Sequence, residues 1–168
     1  MIPFAVAPGV LVSVDPGKRR CGVAVWVDGV LAWAGLVAVR TTARMVWTAN
    51  RMACAVRDAV LAHGGAGAVW VVEDQVDYPG QGAKQSDLDS LRAVVRSLRA
   101  VSDSLSTVRP SEWKGNVPKP VHHRRVRAVL SSAELGRLSS LDLDTLDAVA
   151  LGLWALGRVG RGGVRAAS

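Results

Sequence analysis

Short, unbroken apolar runs that stop at acids set the first pattern along the chain. Residues 10–15 (VLVSVD) end at Asp15 before Pro16-Gly17, and residues 68–72 (AVWVV) end before Glu73. Runs of this length without polar alternation predict strands buried on both faces. CGVAVWVD (21–28) and VLAWAGLVA (30–38) flank the turn dipeptide Asp28-Gly29 and predict a β-hairpin. Apolar residues then recur at helical spacing. Met45, Ala49, Met52, Ala53, Val56 and Val60 predict a helix over 42–62, with His63 at its C-terminus and Gly64-Gly65 ending it. Leu88, Leu91, Val94, Val95 and Leu98 predict another over 86–101, capped by Ser86, with Asp87 and Asp89 in its first turn. A short strand near 105–108, the basic helix VHHRRVRAVL and a last helix opened by Asp142 or Asp144 and running to about Arg158 complete the order.

Three strands that begin with a hairpin, followed by helices alternating with further strands, predict an α/β fold: a mixed five-stranded sheet with helices on both faces. One domain is expected over 1–158, with a disordered Gly/Arg-rich tail over 159–168. The segments 77–85 (DYPGQGAKQ) and 109–120 (RPSEWKGNVPKP) read as Gly/Pro loops. Trp26, Trp33, Trp47, Trp70 and Trp154 fall inside predicted elements and are expected in the core, and Trp113 is expected to anchor its loop.

Composition narrows the class. A chain of 168 residues, 49% of them hydrophobic, supports one real core and excludes disorder as the main state. Cys21 and Cys54 have no metal or CxxC spacing and no secretory signal precedes them, so a reducing cytoplasm is expected. The apolar runs are far too short to span a membrane. The net charge of +7 points to a polyanion, either nucleic acid or an anionic membrane surface. That excess is concentrated: Arg109, Lys114, Lys119, Arg124, Arg125 and Arg127 against Glu112 put +5 within 109–127. Such clustering marks a phosphate track and argues against the membrane. Its helix also carries His122 and His123, expected to contact phosphate or simply to face solvent.

Four acids stand apart from ordinary surface carboxylates. Asp15 and Glu73 close buried strands, where open α/β sheets bind their ligands. Asp144 and Asp147 lie three apart at the start of a helix and share one face. If the four converge, their repulsion demands a cation, and oxygen ligands without His or Cys partners suit Mg²⁺ or Mn²⁺ better than zinc. Such a cluster suits two-metal phosphodiester hydrolysis.

With these residues in place, the chain resembles the RuvC-type Holliday junction resolvases of the RNase H-like superfamily. VSVDPGKRRCGVAV matches their first motif at Asp15, Gly17 and Gly22: a strand ending in Asp-Pro-Gly, with a Gly seven residues beyond the Asp. VWVVEDQV supplies the strand-closing Glu73, and DTLDAVALGL matches the D-x-x-D-A helix start with Asp144 and Asp147. The resemblance implies an RNase H-like fold and cleavage of four-way or other branched DNA. It implies two Mg²⁺ ions per active site, replaceable by Mn²⁺, with Asp15, Glu73, Asp144 and Asp147 as catalytic metal ligands. It also implies a homodimer that nicks opposing strands symmetrically, with helix 86–101 as the natural contact.

The chain departs from the bacterial resolvases at Val23-Ala24, where they carry an aromatic and a second Gly, and RPSEWKGNVPK is similar to divergent, phage-borne members. DPGKRRCGVAV is equally similar to the first motif of the YqgF relatives, which share the fold and are tied to ribosomal RNA maturation. Two further readings therefore stand beside the resolvase: a nuclease acting on structured RNA, and a junction-binding protein without catalysis. Actin-like phosphotransferases also start with a strand, Asp and Gly, but the chain is too short for their two lobes. Candidate nucleic-acid contacts are Lys18, Arg19, Arg109, Lys114, Lys119, Arg124 and Arg125, with Tyr78 and Lys84 in the loop after Glu73.

Overall fold

The computed structural model describes residues 9–41, 44–74, 85–139 and 141–163. Five strands, β1 (Val10–Asp15), β2 (Arg20–Val27), β3 (Val30–Ala38), β4 (Val69–Glu73) and β5 (Ser104–Val108), form one sheet in the order β3-β2-β1-β4-β5. β2 runs antiparallel to its neighbours β1 and β3, and β4 and β5 run parallel to β1. Connection length explains the mixture. Asp28 (φ 49°) and Gly29 (φ 77°) both take positive φ, the geometry of a tight turn that can only return the chain antiparallel. Parallel neighbours need a crossover, supplied by α1 (Met45–Ala62) and α2 (Gln85–Val101).

Both sheet faces are covered, so the strand residues are apolar on both sides. On one face Val12, Val14, Val23 and Val25 pack with Met52 and Val56 of α1 and Val94 and Leu98 of α2. On the other, Leu11, Ala24 and Trp26 pack with α4 (Lys119–Val129) and α6 (Leu143–Ala155) through Val126, Val149 and Leu151. Ser13, the one polar residue inside the β1 run, is buried there and accepts a hydrogen bond from Trp26 Nε1 at 3.1 Å. Two short helices, α3 (Pro110–Trp113) and α5 (Ser132–Leu135), complete the set. The fold is thus α/β, a mixed five-stranded sheet with helices on both faces. Among the described residues no helix is long and apolar enough to cross a membrane.

Four expectations change. Trp47 is 61% exposed rather than core. Thr48, Ala49, Met52, Ala53, Val56 and Val60 form the buried face of α1, and position 47 falls off that stripe. His122 and His123 are buried instead of lying on the surface: His123 meets Asp147 of α6, and His122 lies against the Trp113 ring. The apolar side of α2 is spent inside the chain: Leu88, Val94 and Leu98 are buried, and Ser97 Oγ donates to Asn50 Oδ1 of α1 at 2.7 Å. A second copy would meet only the outer side of this helix. At the C-terminus, Val159 is buried and a 3₁₀ turn, Arg161–Gly163, packs on α3 and α4, so ordered structure runs past residue 158.

Candidate active site

Strand pairing brings the first two carboxylates together. β1 and β4 are parallel neighbours with Val14 beside Val72, so Asp15 and Glu73 leave the same sheet edge side by side. Asp15 pairs with Gly22 across the hairpin side. Gly22 is where α6 comes closest: a Cβ there would lie 1.9 Å from the Asp144 carbonyl oxygen. Its missing side chain lets the helix start settle against β2 and brings Asp144 to Asp15. Asp142 caps α6, its Oδ1 accepting from Asp144 N at 3.0 Å, which leaves the Asp144 carboxylate free of the capping role. Asp147 lies one turn further along and is 2% exposed.

Cations interleave with these acids. Arg20 Nε lies 2.9 Å from Asp144 Oδ2, and its Nη1 3.4 Å from Asp142 Oδ2. Lys114 and Lys119 both reach Asp147 Oδ2, at 3.1 and 2.8 Å, while His123 Nε2 is 2.7 Å from Oδ1. Both oxygens of Asp147 are therefore engaged. Burial alone would raise its pKa, but Lys114, Lys119 and His123 outweigh burial and hold the carboxyl below the ordinary range. Asp15 moves the other way. Burial, then the charges of Glu73 and Asp147, push it well above the usual carboxylate range despite Lys114. Burial likewise raises Glu73, against the pull of Lys114. Lys119 is raised, since Asp147 overrides its desolvation.

Among the described residues no three His, Cys, Asp or Glu side chains stand close enough to hold one ion as they are placed. The donor chemistry nonetheless fits a hard divalent cation. Glu73 Oε2 is buried without a hydrogen-bond partner among the described residues, and Asp15 is held against like charges. An orphaned carboxylate oxygen and a repelled neighbour are both relieved by a dication.

The sequence-predicted contacts divide. Lys114 and Lys119 stand inside the carboxylate cluster. Lys18 and Arg19 are exposed just beyond Asp15, and Lys18 Nζ pairs with Asp87 Oδ1 at 2.5 Å. Arg109 and Arg124 are exposed; Arg125 is half-buried and donates to the Gly162 carbonyl at 3.0 Å, tethering the C-terminal turn. Tyr78 and Lys84 lie outside the described residues. Sequence reasoning missed His123 as a partner of Asp147. The available signal was its spacing: Lys119 and His123 lie four apart on one helix face.

No protein-family model matches the chain, and no curated protein matches it in sequence. Solved structures do match. Thermus thermophilus RuvC is 20% identical with a TM-score of 0.57, covering 86% of this chain and 92% of that one. T. thermophilus RuvC in complex with Holliday junction substrate is 14% identical with a TM-score of 0.55, covering 87% of this chain and 91% of its own. The yeast mitochondrial Holliday junction resolvase Ydc2 is 10% identical with a TM-score of 0.59, covering 92% of this chain and 80% of its own. The chain therefore has the RNase H-like fold of these Holliday junction resolvases.

Proposed function

We propose that this protein is a divalent-metal-dependent endonuclease that hydrolyses phosphodiesters in branched DNA, with four-way junctions as its first substrate. The observation that supports the reading is that the charges of Glu73, Asp147 and Asp144 all bear on Asp15 at the end of β1, with Lys114 and Lys119 paired to Asp147. Acids alone would repel a phosphate; ammonium groups paired with Asp147 draw one in, while Asp15 and Glu73 carry no ion pair among the described residues and can take a cation. Asp15, Glu73 and Asp144, with Asp147 behind them, would hold Mg²⁺ or Mn²⁺, which when bound supplies an activated water and stabilises the leaving oxygen.

The chain's own groups do the rest. Lys114 and Lys119 balance the charge of the incoming phosphodiester, His123 fixes the orientation of Asp147, and Arg20 holds Asp144 at the helix start. Symmetric nicking of opposing strands requires two such sites, so the working unit is a homodimer.

Cleavage of a mobile four-way junction, a linear duplex and a folded RNA, each with Mg²⁺ and with Mn²⁺, tests this reading. The junction is expected to be cut in preference to both others. Asp15→Asn is expected to lose at least roughly a thousandfold in cleavage rate while binding the junction as before. Unchanged cleavage by that variant removes Asp15 from the site. Preference for RNA transfers the activity to structured RNA, and binding without cutting under any metal makes the chain a junction-binding protein.

A further inference from the structure

The indole of Trp113 is buried beside the carboxylate cluster, and its one polar atom lacks a partner. Trp113 is 1% exposed, yet among the described residues nothing accepts a hydrogen bond from its Nε1. A buried donor left in this state is rare. Topology carries this ring toward Glu73. Glu73 is the register partner of Val108, Asp74 N donates to the Val108 carbonyl at 2.8 Å, and α3 begins at Pro110. Arg109 N donates to Glu112 Oε2 at 2.7 Å and Lys114 N to the Pro110 carbonyl at 2.8 Å. That tight turn folds Trp113 back into the core that holds Val108 and Val71. Its ring lies 5.1 Å from Lys114 Nζ and 5.5 Å from the His122 ring, which pin it in place.

Glu73 Oε2 is the matching orphan, a buried acceptor with no partner among the described residues. Burial raises the Glu73 pKa, and Lys114, Lys119 and the Trp113 N–H oppose it, so the indole hydrogen is within reach of this carboxylate. An indole N–H can only donate. It ligates no cation. Toward a carboxylate it can do one thing, which is to occupy a lone pair and set the direction the group faces. Resting on the nuclease reading above, we propose that Trp113 is a positioning residue for Glu73: its Nε1–H donates to the Glu73 carboxylate and holds it turned toward the cluster. Removing a group that orients a metal ligand in this way typically weakens cation binding about ten- to a hundredfold.

The test uses the full chain. In chelator, the six tryptophan indole N–H resonances are compared between wild type and Glu73→Met, which roughly keeps the side-chain volume and removes the acceptor. Trp113→Phe identifies the Trp113 resonance by its loss. That resonance is expected to move upfield in Glu73→Met while those of the other tryptophans stay in place. Mn²⁺ affinity, read by electron paramagnetic resonance, is then measured for wild type, both single variants and the double variant. Trp113→Phe is expected to weaken Mn²⁺ binding roughly tenfold on its own and to cost nothing further beside Glu73→Met. A Trp113 resonance indifferent to Glu73 overturns the proposal. So does an equal loss of Mn²⁺ affinity in both backgrounds, the result a merely structural tryptophan would give. Should Trp113→Phe fail to fold, through-space contacts with His122 assign the resonance instead, and the first comparison still decides. An indifferent resonance in a chain that cuts junctions overturns the proposal alone. A chain that cuts no junction and binds no Mn²⁺, but whose Trp113 resonance answers to Glu73, overturns the nuclease reading and keeps the hydrogen bond.

Discussion

Asp15 and Asp147 show how one cluster can contain a stabilising and a destabilising carboxylate. Asp147 is buried with two ammonium groups and an imidazole, and its pKa falls. Its stabilisation is present above the ordinary carboxylate range and is lost as pH falls. Asp15 is half-buried beside Glu73 and Asp147, and its pKa rises. Its contribution is complete below the unfolded carboxyl value and is lost as pH rises through the elevated folded value. In chelator, Asp15→Asn should therefore have a higher urea midpoint than wild type at pH 8, with unchanged slope, and none of that advantage in acid. Adding Mg²⁺ should raise the wild-type midpoint more than the variant's, because the variant keeps Glu73 and Asp144 but has lost the Asp15 ligand. A variant less stable than wild type in chelator at pH 8 would contradict the repulsion assigned to this residue.

At the scale of elements, the site depends on how tightly α6 can approach the hairpin. Gly22→Ala places a methyl group 1.9 Å from the backbone oxygen of Asp144, and backbone cannot swing aside as a flexible side chain can. The start of α6 must move, at a cost of about 1–3 kcal/mol. Asp144 moves with it, so cleavage should fall further than junction binding. Urea unfolding and cleavage rates check this together, and full activity in a stable variant would show that the approach is not needed. This contact explains the Gly seven residues after Asp15, a spacing legible in the sequence although its partner was not. The hairpin turn, both strand-ending acids and the helix-opening aspartates were legible for the same reason: each is a local pattern with a local cause. Trp47 and His123 were not. Whether Trp47 faces core or solvent depends on which side of α1 meets the sheet, and the meeting of His123 with Asp147 depends on α4 packing against α6. Neither fact is written within a helical turn of the residue itself.

The charge of the whole molecule is organised by the same packing. Of the cations in 109–127, Lys114 and Lys119 are drawn into the carboxylate cluster and Arg125 ties down the C-terminal turn, leaving Arg109, Arg124 and Arg127 exposed for phosphates. Away from the site, one ion pair joins four parts of the fold. Arg158 Nη1 and Nη2 donate to Glu134 Oε1 and Oε2 at 2.5 and 2.9 Å, a bidentate pair. Glu134 also accepts from Leu31 N at 3.1 Å, and Arg158 reaches the carbonyls of Gly29 and Val129 at 3.1 and 3.3 Å. The hairpin, the end of α4, α5 and the chain after α6 meet there.

Glu134 is 3% exposed, and the Arg158 hydrogen bonds, against the opposing effect of burial, bring its pKa down to about 2. A depressed folded pKa means stability that is complete above the unfolded glutamate value and disappears as pH falls toward 2, on the order of 3 kcal/mol in all. Asp15 and Glu73 act in the opposite sense over the same descent, since protonation relieves their repulsion. The acid limb of stability should therefore belong to Glu134 and Asp147. Urea midpoints measured between about pH 2 and 7 should fall steeply for wild type below the ordinary glutamate range. Glu134→Gln should begin lower at neutral pH, because the neutral amide leaves Arg158 poorly paired, and then decline much less in acid. Parallel profiles for the two proteins would move the acid limb elsewhere and leave this clasp as geometry without an energetic role.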